Sequence, residues 1–484
     1  MSKSMYSLTN PQKSIWLTEQ FYKGTSIENI SGTATILEKV DFKKFEKAIN
    51  LFIEKNDSFR LKFTIDNGEV KQYVEDFSFI SFEKILVSSD KDVKKIEKEL
   101  STFVFDTLDS FLFKFKFFEF PDGHGGFVIT MHHLISDAWT SGIVISEIIN
   151  LYDALINGEL ISPEKAPSYI DYIISEKEYK DSEKYLKDKA FWNSLFETVP
   201  EAGTIPSKST NSLLSSSAKR KQFILNKEML SLIKDFCKSN KISEFNFFMG
   251  VLALYIGKVS SLNDFIIGTP ILNRSNFKEK HTAGMFISVI PFKVSLDYDN
   301  SFIQFASTIS KDFFSIFKHQ KYSYQDLLED LREKHGNNMP NLFNILFSYQ
   351  NMRSNKQTAK TTYDSKWLFN NNISEDLDIH LYDINDTGNV IMAYDYKTEK
   401  YSVEEIYSIH ERLLNIINQI LENTDILLKD IEIVSPSEKK KILYDFNNTK
   451  IDYPKNKTIS ELFEEQVERT PDNIAVVFEN QQLT

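Results

Sequence analysis

The chain has 484 residues, too long for one ordinary domain, and its 41% hydrophobic content with 13% aromatics suffices for large cores. A net charge of −12 without a concentrated basic stripe argues against nucleic acid as a partner. The single cysteine, Cys237, excludes a disulfide framework and suits a reducing cytoplasm; polar residues follow Met1, so no signal peptide is expected, and the longest apolar run, Phe247 to Gly257, is too short for integral membrane association.

In chain order, Leu8-Thr9-Asn10-Pro11 opens a helix. Asn10 suits the N-cap, Pro11 the first helical position, and Ile15 and Trp16 face the core. Arg60, within Glu54 to Phe63, is either a surface charge on a strand edge or a buried partner for a carboxylate. Between Phe103 and Phe120, residues Phe111, Phe113, Phe115 and Phe117 alternate with Leu112, Lys114 and Lys116. That period of two is a strand with one aromatic face inward.

Gly126 to Thr140 organises the rest. Phe127 to Met131 is a short apolar run of the kind that forms a buried strand; His132 and His133 follow, and Asp137 comes four residues after the second. From Thr140 a helical pattern places Ile143, Val144, Ile148, Leu151 and Leu155 on one face, with Gly158 as the stop. The three polar residues therefore sit on a strand-to-helix loop, where a rigid scaffold presents catalytic groups. Histidine can take and return a proton near neutral pH. No serine stands in a nucleophile elbow and Cys237 has no motif around it, so the nucleophile should arrive with the substrate, such as an amine or hydroxyl attacking an activated acyl group. Neighbours on an extended strand point to opposite faces, so His132 and His133 do not easily share a metal. A histidine pair buried for packing is the plainer alternative. Asp137, between two buried elements, needs a cationic partner. Arg274, in Gly268 to Arg274, is the first choice and Arg60 the second.

Further on, Pro200 to Lys219, with Gly203, Pro206, Ser207, Ser209, Ser212 and Ser215 to Ser217, reads as a connection. Ser243 caps the apolar core helix, Asp264 to Pro270 is a buried strand closed by Pro270, and Asn344 to Asn351 is a strand ending in polar groups that include Ser348 and Tyr349. The expected organisation is an N-terminal lobe over 1–185, a second lobe over 186–440, each alternating strands with helices, and a linker with a further segment over 441–484. In that segment a helix begins at Thr458 and Pro471 ends it.

Met131 to Thr140 resembles the HHxxxDG signature of the condensation domains of nonribosomal peptide synthetases, which belong to the chloramphenicol-acetyltransferase-like acyltransferases. The resemblance implies that His133 is catalytic, assisting proton removal from the attacking amine or stabilising the tetrahedral intermediate, and that His132 and Asp137 support it. Ala138 stands where the pattern has glycine; if that position needs a positive φ, the alanine is strained by about 1 kcal/mol. The opening segment, the segment around Arg60, Tyr169-Ile170-Asp171-Tyr172, His281 to Pro291 and His319 to Tyr324 are similar to further family motifs. Ser288 replaces the asparagine usual in elongation domains, and Ser323 replaces a proline.

The implied fold is α/β, with two chloramphenicol-acetyltransferase-like lobes forming a pseudo-dimer and one active site in a channel between them. Trp139, Ser288, Ser348 and Tyr349 are expected along that channel. The implied reaction joins an acyl donor to an aminoacyl group held on a carrier protein's phosphopantetheine arm, with no cofactor bound by the domain itself. Thr458 to Val477 is similar to the opening of an adenylation domain, so the chain reads as part of a longer multienzyme. Ile15 to Tyr22, Ser288 and Asp378-Ile379-His380 look most like starter condensation domains of surfactin-type synthetases, whose donor is a fatty acyl coenzyme A. Met1 lies only seven residues before the first motif, which fits a first module. An elongation domain with a peptidyl carrier donor is the alternative.

Overall fold

The strand that ends in the histidine pair, His124–His132, lies at the centre of a five-stranded sheet ordered Tyr363–Leu368, Asn29–Lys39, His124–His132, Phe113–Glu119 and Glu83–Leu86. The computed structural model that shows this describes residues 3–162, 164–207, 215–336, 341–350, 360–383 and 388–484; Ser209, Ser212 and Asn351 lie outside the described residues. Both central pairings are antiparallel and tight. A Cβ on Gly126 would stand 2.0 Å from the Ala34 carbonyl oxygen, and one on Gly125 would stand 2.2 Å from that of Phe118, so these two positions must stay bare.

The aromatic alternation forms the strand Phe113–Glu119, with Phe113, Phe115 and Phe117 in the main core of this half and Phe111 just before it. Phe118 turns to the other face, where it meets Val128 and the helix Asp90–Ser101 in a small second core. Helices Phe42–Lys55 and Ala138–Asn157 cover the aromatic face through Phe45, Phe127 and Tyr152. Gly158 ends the second of these in the left-handed region, at φ 68°, a conformation that costs glycine little.

The first helix, Asn10–Phe21, starts one residue earlier than expected. Thr9 is the N-cap, because its hydroxyl accepts the Gln12 N–H while the Gln12 side chain accepts the Thr9 N–H. Besides Pro11 its buried residues are polar (Asn10, Gln12, Glu19), Ile15 and Trp16 are half-buried, and Leu17 and Phe21 stay exposed.

The second half carries a seven-stranded sheet in the order Ser288–Ser295, Asp264–Ile271, Ile345–Gln350, Leu377–Tyr382, Ile391–Lys397 and Ala218–Ile224, with Glu201–Ala202 also paired to Asp264–Ile271. Pro270 does not close its strand; it pairs in register with Val289 and the strand runs to Ile271. The apolar helix Glu244–Ser260, capped by the Ser243 hydroxyl on the Asn246 N–H, fills the core behind this sheet. Ile345–Gln350 occupies the centre of its sheet as His124–His132 does in the first. The halves are stitched together: Tyr363–Leu368, from the second half, is an edge strand of the first sheet, antiparallel to Asn29–Lys39.

Residues Met1–Ile433 form one compact unit, and Val434–Thr484 a second. The second unit holds the helix Ile459–Arg469, closed at its start by a Thr458–Glu461 capping box, and a hairpin of Val476–Phe478 with Gln481–Leu483. Among the described residues no single helix is long and apolar enough to cross a membrane, although the bent pair Lys227–Asn240 and Glu244–Ser260 meets the length and composition of a broken span.

Candidate active site

After His132 the chain leaves the sheet through three backbone hydrogen bonds and one from a side chain. The His133 N–H donates to the Glu28 carbonyl at 2.8 Å, the Ile135 N–H to that of His132 at 3.1 Å, the Ser136 N–H to that of His133 at 3.4 Å, and the Ser136 hydroxyl to that of His132 at 3.0 Å. The two histidines face different surroundings, as their adjacency on an extended strand requires. His132 is 2% exposed; its Nδ1 accepts the Leu134 N–H at 3.1 Å, which leaves the proton on Nε2, directed at the Glu19 carboxylate 3.4 Å away. His133 has the opposite tautomer. Its Nδ1 lies 3.1 Å from the Ser136 carbonyl, which can only accept, so Nδ1 carries the proton and Nε2 keeps a lone pair. Burial lowers the His133 pKa to about 4, and the neighbouring Asp137 charge offsets only part of that fall. At neutral pH His133 is an uncharged acceptor.

Asp137 holds the loop and touches no open space. It is the N-cap of Ala138–Asn157, with Oδ1 accepting the Thr140 N–H at 2.7 Å. Its other oxygen accepts the Phe286 and Ile287 N–H groups at 3.0 and 3.3 Å, from a segment of the second half. The charge partner is Arg274: one terminal nitrogen lies 3.1 Å from both carboxylate oxygens. This is a single nitrogen astride the carboxylate rather than a two-nitrogen fork, because the other terminal nitrogen donates to the Glu279 and Thr282 carbonyls. The guanidinium also stacks 3.9 Å from the Phe286 ring centre.

Arg60, the second choice for that role, pairs with no carboxylate among the described residues. It donates instead to the Ile53, Glu54 and Glu75 carbonyls, tying a helix end to a strand end. Ala138 is not strained. It is the first residue of its helix and is absent from the positive-φ positions, so glycine's conformational freedom is not needed there.

Two cavities lie near the loop. One, of about 220 Å³, is lined by His133 and Ala138 from the first half and by Trp367, Arg220, Asp378 and Asp395 from the second. The other, of about 590 Å³, is lined by Pro11, Leu17 and Phe21 of the first helix, by Glu28, and by Ser288 and Tyr324. Consecutive residues ahead of and at the start of the strand Asn29–Lys39 line them in turn, Ile27 and Asn29 the small cavity and Glu28 the large one. Ser288 therefore lines a different cavity from His133. Trp139, Ser348 and Tyr349 line neither. Trp139 donates its indole N–H to the Lys280 carbonyl at 2.9 Å, and the Tyr349 hydroxyl donates to Glu244. Ser348 is hydrogen-bonded to His380 Nδ1 at 2.6 Å, and His380 Nε2 lies 3.3 Å from Asp395. Asp395 is gripped by Arg220 through two 2.6 Å bonds, which hold its carboxyl below the usual range although burial pushes the other way.

Glu19 and Ser136 fall inside the matched stretches Ile15 to Tyr22 and Met131 to Thr140 without being singled out there, and Glu28, Arg220 and Asp395 lie outside every matched stretch. Buried charged residues inside period-two strand patterns, as at Arg220 and Asp395, are the signal that points to them.

Two sheet-and-helix halves, stitched by a shared strand and carrying one histidine loop, define the two-lobed acyltransferase class. The comparison with known proteins narrows the class. Residues 2–443 match the condensation domain, and the chain belongs to that family, whose members form amide bonds in nonribosomal peptide synthetases. Over 491 aligned residues it is 33% identical to surfactin synthase subunit 1 of Bacillus subtilis (strain 168), covering 100% of this chain and 14% of that protein. A plipastatin synthase of the same strain is 28% identical, with 100% and 19% covered. The chain thus spans a small part of the relatives it matches. Among solved structures, the first condensation domain of the calcium-dependent antibiotic synthetase, with a substrate analogue, superposes with a TM-score of 0.77 at 14% identity, over 89% of this chain and 99% of that one. A mutant starter condensation domain of rhizomide synthetase in complex with C8-CoA gives 0.76 at 17% identity, over 89% and 98%.

Proposed function

We propose that this chain is a starter condensation domain that N-acylates an aminoacyl thioester carried on a phosphopantetheine arm, using a fatty acyl coenzyme A. The observation that carries the chemistry is the His133 ring, with its Nδ1–H tied to the Ser136 carbonyl and its unprotonated Nε2 left for the substrate in a cavity bordered by both halves. The acceptor ammonium first gives one proton to solvent, and the resulting neutral amine attacks the acyl carbonyl carbon. As the C–N bond forms, the nitrogen becomes strongly acidic and its second proton passes to His133 Nε2. The C–S bond then breaks and the imidazolium returns that proton to the leaving sulfur. This favours the base role for His133 over pure stabilisation of the intermediate.

The starter reading rests on the surfactin and plipastatin synthases among the relatives and on the rhizomide starter domain, whose structure holds an acyl coenzyme A. The large cavity beside the apolar side chains of Leu17, Phe21 and Leu328 suits a hydrocarbon chain. A carrier protein and a following adenylation domain are the partners this reading requires, in a cytoplasmic multienzyme. The test is a series of acyl coenzyme A donors, mixed with a carrier bearing its aminoacyl group and scored by mass spectrometry of the N-acyl product. Yield should rise with chain length, at ~0.8 kcal/mol per buried methylene, until the cavity is full. Product only from a peptidyl carrier would move the chain to the elongation class.

A further inference from the structure

The small cavity has a wall that the amide-forming reaction leaves unused. Asp378, on the strand Leu377–Tyr382, lines it together with His133. The residue is 8% exposed, and its carboxyl accepts no hydrogen bond from any described group; Oδ1 is sealed from solvent without a partner. The nearby Arg220 guanidinium gives its Nε–H and an Nη2–H to Asp395 at 2.6 Å each, and no hydrogen bond runs from it to Asp378. Asp395 has a second partner in His380. The remaining wall mixes apolar side chains such as Ile27, Ile30, Leu368 and Ile373 with the polar Asn29, Ser31, Asn370 and Asn372. A buried carboxyl left without a donor is costly, and because Oδ1 is sealed an arriving donor must meet it at Oδ2.

We propose that Asp378 receives the α-amino group of the acceptor, holding it in the cavity that His133 lines. The charges favour a cation as the arriving group. Among the residues lining the cavity, Asp378 and Asp395 share one guanidinium, Arg220, whose hydrogen bonds go to Asp395, so an ammonium would pair with the carboxyl left without a donor. Burial, together with the charges of Glu375 and Asp395, pushes the Asp378 carboxyl well above the usual carboxylate range in the empty cavity, against the opposing pull of Arg220 and Lys397. A cationic partner reverses that penalty. The pairing also aims the nitrogen: an amine drawn to Asp378 sits in the same small cavity that His133 lines. Asp378 is then a positioning residue for the nucleophile, and His133 keeps the proton transfer.

The proposal rests on the amide-forming reading, but its test does not need turnover. Binding of a panel of apolar aminoacyl-pantetheine amides is measured by calorimetry against their des-amino counterparts, using the full chain. Wild type should prefer the amine by about tenfold or more for at least one member, the scale of a charge-assisted hydrogen bond. Asp378→Asn should bring that ratio to within about twofold while des-amino binding persists. A wild type without any preference for the amine, or a ratio unchanged in Asp378→Asn, overturns the proposal. Should Asp378→Asn fail to fold, the wild type decides alone through a ¹⁵N-labelled α-amine. Its pKa in the complex should lie at or above its free value; a fall would place the amine in apolar surroundings without a carboxylate and refute the pairing. If these results hold but no acyl donor yields product, it is the reaction reading that fails.

Discussion

One nitrogen of Arg274 sits 3.1 Å from both carboxylate oxygens of Asp137, and neither side chain is exposed at all. The pair is 137 residues apart in sequence and fixes the histidine loop of one half to the second-half segment around Gly284 to Ile287. Asp137 therefore acts on His133 through the loop rather than on substrate.

Removing the cation should expose that arrangement. Arg274→Ala leaves a fully buried carboxylate with backbone donors only, and breaking a buried pair typically costs about 3–5 kcal/mol. Arg60→Ala removes hydrogen bonds to three carbonyls at a partly exposed site and should cost less, about 1–3 kcal/mol. Denaturant midpoints of the two variants at pH 7 give the comparison. An Arg274→Ala protein no weaker than Arg60→Ala would mean that the buried pair contributes little.

Ala138→Gly tests the loop at its other end. The residue is the first of a helix and has no positive φ, so glycine relieves nothing there and loosens the unfolded chain. The expected change is a loss of about 0.5–1 kcal/mol. A gain in thermal stability would show that the alanine is strained after all.

Gly284 is a stricter position. Its φ is +150°, and a Cβ would fall 2.2 Å from Cδ2 of Tyr169, a ring whose hydroxyl bonds the Met285 carbonyl at 2.6 Å. Gly284→Ala should cost clearly more than Gly24→Ala, where φ is +81° but nothing lies within 4 Å. Equal melting temperatures for the two variants would argue that the Tyr169 contact relaxes without cost.

The sequence made the histidine loop legible because its period changes from strand to helix across a polar knot, from Met131 to Thr140. Arg274 was legible for a chemical reason, since a carboxylate placed between buried elements needs a guanidinium. The Thr9 cap was obscured by Asn10, an equally good cap by type; reciprocity with Gln12 decides between them. Arg60 resembles a carboxylate's partner only because its true acceptors are backbone carbonyls, which no side-chain pattern marks. The wall of Arg220, Asp378 and Asp395 depends on strand order. Arg220 and Asp395 meet because Ala218–Ile224 pairs with Ile391–Lys397, 175 residues away, and no local periodicity reports that neighbour. Which residues line the small cavity with His133 depends on the same strand order, and among the described residues Ser288 lines the larger cavity instead.

The two histidines should separate in kinetics and in pH. His133→Ala should lower turnover ~10²–10⁴-fold, whereas His132→Ala, which removes a ring buried between Phe105 and Glu19, should act mainly by lowering stability. For His133 the sign with pH follows from its pKa of about 4, below the unfolded value of ~6.5. Between those values the unfolded chain binds the extra proton and the folded one does not, so stability attributable to His133 rises as pH climbs from about 4 to ~6.5, and is lost on acidification through that window. The difference in unfolding free energy between wild type and His133→Gln isolates this contribution from the raised carboxyls of Glu28 and Glu176, and it should shift toward the wild type as pH rises. In Asp378→Asn, where that residue's raised carboxyl cannot set the limb, the acid limb of kcat/KM should fall near pH 4, because Nε2 keeps its lone pair down to there. An acid limb at ~6.5, with no pH trend in the stability difference, would mean that the ring is solvated and that burial does not set its protonation.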